Sequence, residues 1–146
     1  MKPFLWMILI LIGAVLIFLL LDYIVKRFKK PQTVQQSVMN AIYFIQLKQY
    51  QVALDLLAQM EAELAITPEE MCDVCIQRAD AHKGLAQYNQ AVDAYEILYE
   101  ALQESERPIK RNDALLSELK ECYQKAEREE DFKKWDALFA SKEETE

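Results

Sequence analysis

Apolar side chains follow two regimes along the chain. From Phe4 to Leu21 they are continuous: FLWMILILIGAVLIFLLL holds no charged residue. Such a run is long enough to read as a membrane-crossing helix. Extended over residues 4–25 it spans about 33 Å at about 1.5 Å per residue, close to a hydrocarbon core. Trp6 and Tyr23 stand toward its two ends, where aromatic side chains anchor such helices, and Asp22 reads as an interfacial acid paired with Lys26. No small-residue cleavage motif follows, so the run is expected to stay as an anchor rather than leave as a signal peptide.

Beyond Pro31 the apolar residues recur at intervals of three and four. Val34, Val38, Ala41, Ile42, Ile45 and Leu47 predict a helix over about 33–48. Val52, Ala53, Leu56, Leu57, Met60 and Leu64 predict a second over about 51–66. Thr67-Pro68-Glu69-Glu70 is a helix start, with a capping Thr, Pro in the first turn and acids behind it. It opens a third helix over about 68–85, and a fourth follows over about 89–104. After Arg107-Pro108 a fifth and a sixth are expected over about 112–129 and 131–141. The expected fold class is all-α: one N-terminal transmembrane helix, then about three antiparallel hairpins (33–66, 68–104, 112–141) in a short α-solenoid. The domain division is 1–30 for the anchor with its basic collar and 31–146 for the hairpins.

The chain aligns with itself at a shift of 38 residues. Leu47, Gln49, Tyr50, Ala53 and Asp55 fall on Leu85, Gln87, Tyr88, Ala91 and Asp93, and one helix back Ala41 falls on Ala79. A fixed period of this length signals stacked repeats. Tyr50 and Tyr88 are expected to fill the turns between paired helices. Ala41, Ala53, Ala79 and Ala91 are expected where helices cross closely, because a larger side chain would force them apart.

These residues resemble the tetratricopeptide repeat (TPR): a small residue on the first helix, an aromatic at the turn, a small residue on the second helix, then bulky ones. The first copy carries Ala41, Tyr50, Ala53, Leu57 and Met60, and the second Ala79, Tyr88, Ala91, Tyr95 and Leu98. The early aromatic of the family's first helix is Ser37 here, then Cys75. In the third pair Phe132 is placed as the turn aromatic and Trp135 falls at the small position, so 112–141 reads as a degenerate cap. Stacked hairpins leave a groove lined by their first helices. By the repeat alignment it presents Gln35, Val38, Ile42, Ile45 and Gln46, then Asp73, Ile76, Asp80 and Lys83, then Lys120, Gln124 and Glu127. Val38 and Ile42 stand where the family's chaperone-binding members place Lys and Asn, so the resemblance does not carry that carboxylate clamp.

Charge divides the chain. Residues 1–30 carry five basic side chains and one acidic, whereas 31–146 carry 12 basic and 23 acidic, net −11 within a whole-chain −7. The excess of Lys26, Arg27, Lys29 and Lys30 after the apolar run predicts a cytoplasmic C-terminal side; the layout and small size of the chain suggest a bacterial inner membrane. A domain at net −11 repels phosphate, so a nucleic-acid partner is not expected. The chemistry expected of an enzyme is missing. Gly13 and Gly84 are the only glycines, so no phosphate-cradling loop is available, and His82 is the only histidine. Cys72 and Cys75 form a C-x-x-C, which with His82 and Cys122 makes four soft ligands. The pair lies inside a predicted helix, so reduced core thiols are expected rather than a zinc site. No metal, cofactor, small-molecule substrate or catalytic residue is assigned.

The resemblance therefore implies a membrane-anchored TPR adaptor or scaffold. Its groove takes a protein or peptide partner and assists assembly or quality control of a membrane-associated complex, with the bilayer contacted through residues 4–25. Two alternatives stay open: a structural single-pass subunit of a larger complex, and a periplasm-facing chaperone-like factor.

Overall fold

The computed structural model describes residues 12–20, 33–106 and 112–143, all helices and turns. The chain separates into two units, residues 1–32 and 33–146. In the first, residues 12–20 form a helix, α1, whose large apolar side chains are exposed. This corrects the membrane-spanning reading. Among the described residues no helix is long and apolar enough to cross a membrane. The nine residues of α1 span about 14 Å, less than half a hydrocarbon core. The rest of the 4–25 run lies outside the described residues, as do Lys26, Arg27, Lys29 and Lys30. With no crossing helix among the described residues to orient, the assignment to a single-pass inner-membrane protein with a cytoplasmic domain is withdrawn as well.

The second unit holds α2 (Val34–Gln46), α3 (Tyr50–Glu63), α4 (Pro68–Gly84), α5 (Tyr88–Glu104), α6 (Asp113–Lys125) and α7 (Glu129–Glu143). The first helix of each hairpin starts on a side-chain cap. Thr33 accepts from the Gln36 N–H, and Asn112 accepts from the Ala114 and Leu115 N–H groups. At α4 the cap is reciprocal: Glu70 N–H donates to Thr67 Oγ1 at 3.3 Å, and Thr67 N–H donates to Glu70 Oε2 at 3.0 Å. The second helices α3 and α5 have no side-chain cap, because each follows its partner through a three-residue turn.

Those turns are one structure used three times. Lys48, Ala86 and Glu127 have φ of 59°, 56° and 56°, the left-handed region. In each turn this residue's N–H donates to the carbonyl three residues back (Ile45, Lys83, Gln124). The next N–H donates to the carbonyl five back (Phe44, His82, Tyr123). This paired arrangement is a Schellman motif, which satisfies the last carbonyls of the helix. It sets the third hairpin 41 residues after the second, since Ala86 corresponds to Glu127. Phe132 therefore stands at the position of Ala53 and Ala91, and Glu129 at that of Tyr50 and Tyr88. Placing Phe132 as the turn aromatic is corrected accordingly.

Helix α2 packs on α3, both pack on α4, and then α4 on α5, α5 on α6 and α6 on α7. Two cores result, and α4 feeds both. Val74 and Ala81 join Val34, Val38, Ala41, Ala53, Leu57 and Met60. Cys72, Cys75 and Ala79 join Ala91, Tyr95, Leu98 and the residues of α6 and α7. The four alanines of the repeat, Ala41, Ala53, Ala79 and Ala91, are fully buried at these crossings. The tyrosines also reach beyond their own turns. An ideal Cβ on Gly84 would lie 2.3 Å from Tyr50 Cε1, so the Tyr50 ring rests on the end of the next hairpin's first helix. Tyr88 makes the equivalent reach: its ring lies 4.9 Å from Lys125 Nζ, and its carbonyl accepts from Cys122 Sγ at 3.8 Å.

The last hairpin is held by a polar chain within the aromatic core. Buried Trp135 Nε1 donates to Tyr123 Oη at 3.0 Å; that hydroxyl donates to Glu96 on α5, which also pairs with Lys134. Tyr99 meets Trp135 edge-on at 5.3 Å between centroids.

Candidate functional site

The expected groove residues fall into two places and a remainder. At the first place α2 and α4 lie side by side and leave an open hollow of about 400 Å³. Val34, Gln35, Val38, Met39 and Ile42 line it from α2, and Glu70, Asp73 and Gln77 from α4. Helical spacing puts 35, 38, 39 and 42 on one side of α2, and 70, 73 and 77 on one side of α4. The α2 wall is uncharged and apolar but for Gln35, and the α4 wall carries the carboxylates of Glu70 and Asp73 beside Gln77. Glu70 is committed to the Thr67 cap, whereas Asp73 is exposed and makes no ion pair among the described residues.

The second place lies between α4, the start of α5 and α6. Lys83, Tyr88, Glu118, Glu121, Cys122 and Lys125 surround a smaller hollow of about 110 Å³. Lys83 Nζ pairs with Asp80 at 2.7 Å on its own helix and with Glu118 at 3.0 Å on α6. Burial alone would lower the Lys83 pKa, but the hydrogen bonds to Asp80 and Glu118 outweigh it and raise it above the usual lysine range. Lys125, 2.6 Å from Glu121, holds that carboxyl below its usual range. Every charge here already has a partner, so this region joins hairpins two and three rather than offering a vacant anchor.

The remaining expected residues lie elsewhere. Ile45 is half-buried against the first core and Ile76 against the second, while Gln46 is exposed. Lys120 is exposed; Gln124 and Glu127 border a different hollow, at the third turn, with Arg128, Glu129, Glu130 and Asp131. Lining residues absent from the expectation are Val34, Met39, Glu70 and Gln77 at the first place, and Glu118, Glu121 and Lys125 at the second. Met39 and Gln77 correspond at the shift of 38, a signal present in the sequence. Glu70 was absorbed by its capping role.

Chemistry of other kinds finds little support. The three cysteines are buried and none is in a disulfide, and burial pushes the Cys75 thiol up to about 12, the reverse of an activated nucleophile. His82 Nδ1 lies 2.8 Å from Gln87 Oε1 across the second turn, a local bond that ties the turn together. Among the described residues no group of three metal-ligating side chains comes together. Comparison of the chain with known protein families, curated proteins and solved structures returns no match.

Proposed function

We propose that residues 33–143 are a non-catalytic, TPR-like binding module that takes a short peptide segment of another protein in the α2–α4 hollow. The observation that carries this reading is the pairing of an apolar wall (Val38, Met39, Ile42) with the exposed carboxylate of Asp73 across the same hollow. A ligand matching both walls is a segment with an apolar side chain beside a Lys or Arg. Its apolar part loses water against α2, and its cation faces Asp73. The acidic balance of the surrounding domain would speed the approach of such a segment.

The test is an array of short peptides that varies apolar and charged neighbours, probed with the full-length protein. Enrichment of basic-apolar peptides is expected. Asp73→Lys is expected to weaken their binding about tenfold or more, as loss of a charge partner and gain of a like charge do. Ser117→Lys, on the exposed side of α6, should leave binding unchanged. Absence of enrichment, or binding indifferent to Asp73→Lys, would reject the proposal.

A further inference from the structure

The cap of α4 uses one of the two carboxylate oxygens of Glu70. Its Oε2 accepts from the Thr67 N–H at 3.0 Å and from the Thr67 hydroxyl at 3.2 Å. Its Oε1 has no partner among the described residues. The same side chain lines the α2–α4 hollow. Asp73 stands three residues further along that wall, exposed and without an ion pair among the described residues. The hollow therefore holds two carboxylates one helical turn apart, with Cβ atoms about 5–6 Å from each other. Among the described residues no Lys or Arg lines it to offset their repulsion.

Elsewhere this domain places a shared cation between two carboxylates. Lys83 Nζ lies 2.7 Å from Asp80 and 3.0 Å from Glu118. Arg128 divides its fork, with Nη1 2.7 Å from Asp93 and Nε 3.0 Å from Asp131. The two arrangements ask different things of the acceptors. An ammonium is a compact point charge, so both carboxylates have to converge on it, and Asp80 and Glu118 do so from separate helices, α4 and α6. Glu70 and Asp73 leave one helix side by side, and Glu70 cannot swing toward Asp73 without giving up the cap. A guanidinium is a planar fork whose N–H donors reach separated oxygens at once, as those of Arg128 do.

We infer that Glu70 has a second role: together with Asp73 it selects arginine over lysine as the cation of the bound segment, the guanidinium bridging Glu70 Oε1 and the Asp73 carboxylate. The inference rests on the peptide site proposed above and narrows its ligand from basic-apolar to arginine-apolar segments.

The test compares two end-capped, fluorescently labelled peptides, Ser-Gly-Leu-Arg-Leu-Gly-Ser and the same sequence with Lys in place of Arg, binding to the full-length protein by anisotropy. Leucine on both sides leaves the chain direction free. The Arg peptide is expected to bind about three to five times more tightly, the range of an exposed charge pair. Glu70→Gln is expected to abolish that preference by weakening the Arg peptide, with the Lys peptide within about twofold of its original affinity. Glutamine can still reach back to the Thr67 N–H, so the capping box is kept, and an unchanged urea midpoint checks this. Asp73→Asn, which plays no part in the cap, should remove the preference as well. Glu104→Gln, exposed on α5, takes the same charge from elsewhere and should leave the preference intact. Equal or tighter binding of the Lys peptide, or a preference that survives Glu70→Gln and Asp73→Asn in the folded protein, overturns the inference while the peptide site stands. Binding of neither peptide rejects the site itself, and the inference with it.

Discussion

Gly84 shows how one missing atom joins two hairpins. It ends α4, and the Tyr50 ring occupies the space that a Cβ would fill, 2.3 Å from Cε1 and 2.4 Å from Cζ. In an ordinary helix, Gly→Ala gains up to about 1 kcal/mol by restricting the unfolded chain. Here the ring has to swing off its seat, and overpacking of this kind costs about 1–3 kcal/mol. Gly84→Ala is therefore expected to destabilise the protein by about 1–2 kcal/mol, read from urea unfolding. The cause is separable: in a Tyr50→Ala background the same change should be neutral or stabilising. Equal costs in both backgrounds would show that the ring is not the obstacle. Tyr88 meets the long side chain of Lys125 at the corresponding place, so the two junctions close the same gap by different means.

At the scale of elements, the three turns carry residues that their backbone disfavours. Ala86 sits at φ 56° with a Cβ, at a position where helices most often end in glycine. Left-handed backbone costs a non-glycine residue about 1–2 kcal/mol, and glycine's extra unfolded-state freedom returns part of that. Ala86→Gly is expected to raise stability by about 0.5–1 kcal/mol, measured as a higher urea midpoint with unchanged slope. A lower midpoint would mean that the Ala86 methyl packs against something the turn needs. These turns also mark where the sequence stops being readable. The 38-residue correspondence of Tyr50, Ala53 and Asp55 with Tyr88, Ala91 and Asp93 is carried by side chains, and it placed the first two hairpins. The third turn is defined by backbone bonds at Glu127, with neither a glycine nor an aromatic to announce it. Reading aromatics alone slid α7 by three residues. The hollow was half legible for a similar reason. Gln35, Val38, Ile42 and Asp73 follow from helix faces, but the split between the two hollows depends on α6 docking mainly on α5, which no residue spacing reports. The apolar run at 4–21 gave composition and length, and the helix described there covers only 12–20.

At the scale of the whole molecule, five buried or half-buried titratable groups push stability in one direction. Burial raises the Cys75 thiol from 9.0 to about 12 and the Tyr95 phenol from 10.0 to about 12. Burial likewise raises the Cys122 thiol and the Tyr123 phenol. Lys83 is raised as well: burial opposes the shift, but its hydrogen bonds to Asp80 and Glu118 prevail. In each case the folded state holds its proton more tightly than the unfolded chain does. The resulting stabilisation is complete below the unfolded pKa and is lost as pH rises through the folded one. For Cys75 that window runs from about pH 9 to about 12, and for Tyr95 from about 10 to about 12. The thiols therefore lead: from pH 8 to 9 stability should already be falling while the phenols have barely begun to contribute. Each thiol that ionises only on unfolding contributes up to about 1.4 kcal/mol per pH unit. Urea midpoints measured under reductant at pH 8, 9 and 10 are expected to decline, and Cys75→Ala should flatten that decline even though the lost sulfur lowers stability at every pH. An unchanged decline in Cys75→Ala would place the loss on another group. The groups concerned lie on α4, α5 and α6, the helices that join the second hairpin to the third. Alkaline pH should consequently loosen that junction first, and backbone amide exchange in α6 and α7 should accelerate before that in α2 and α3.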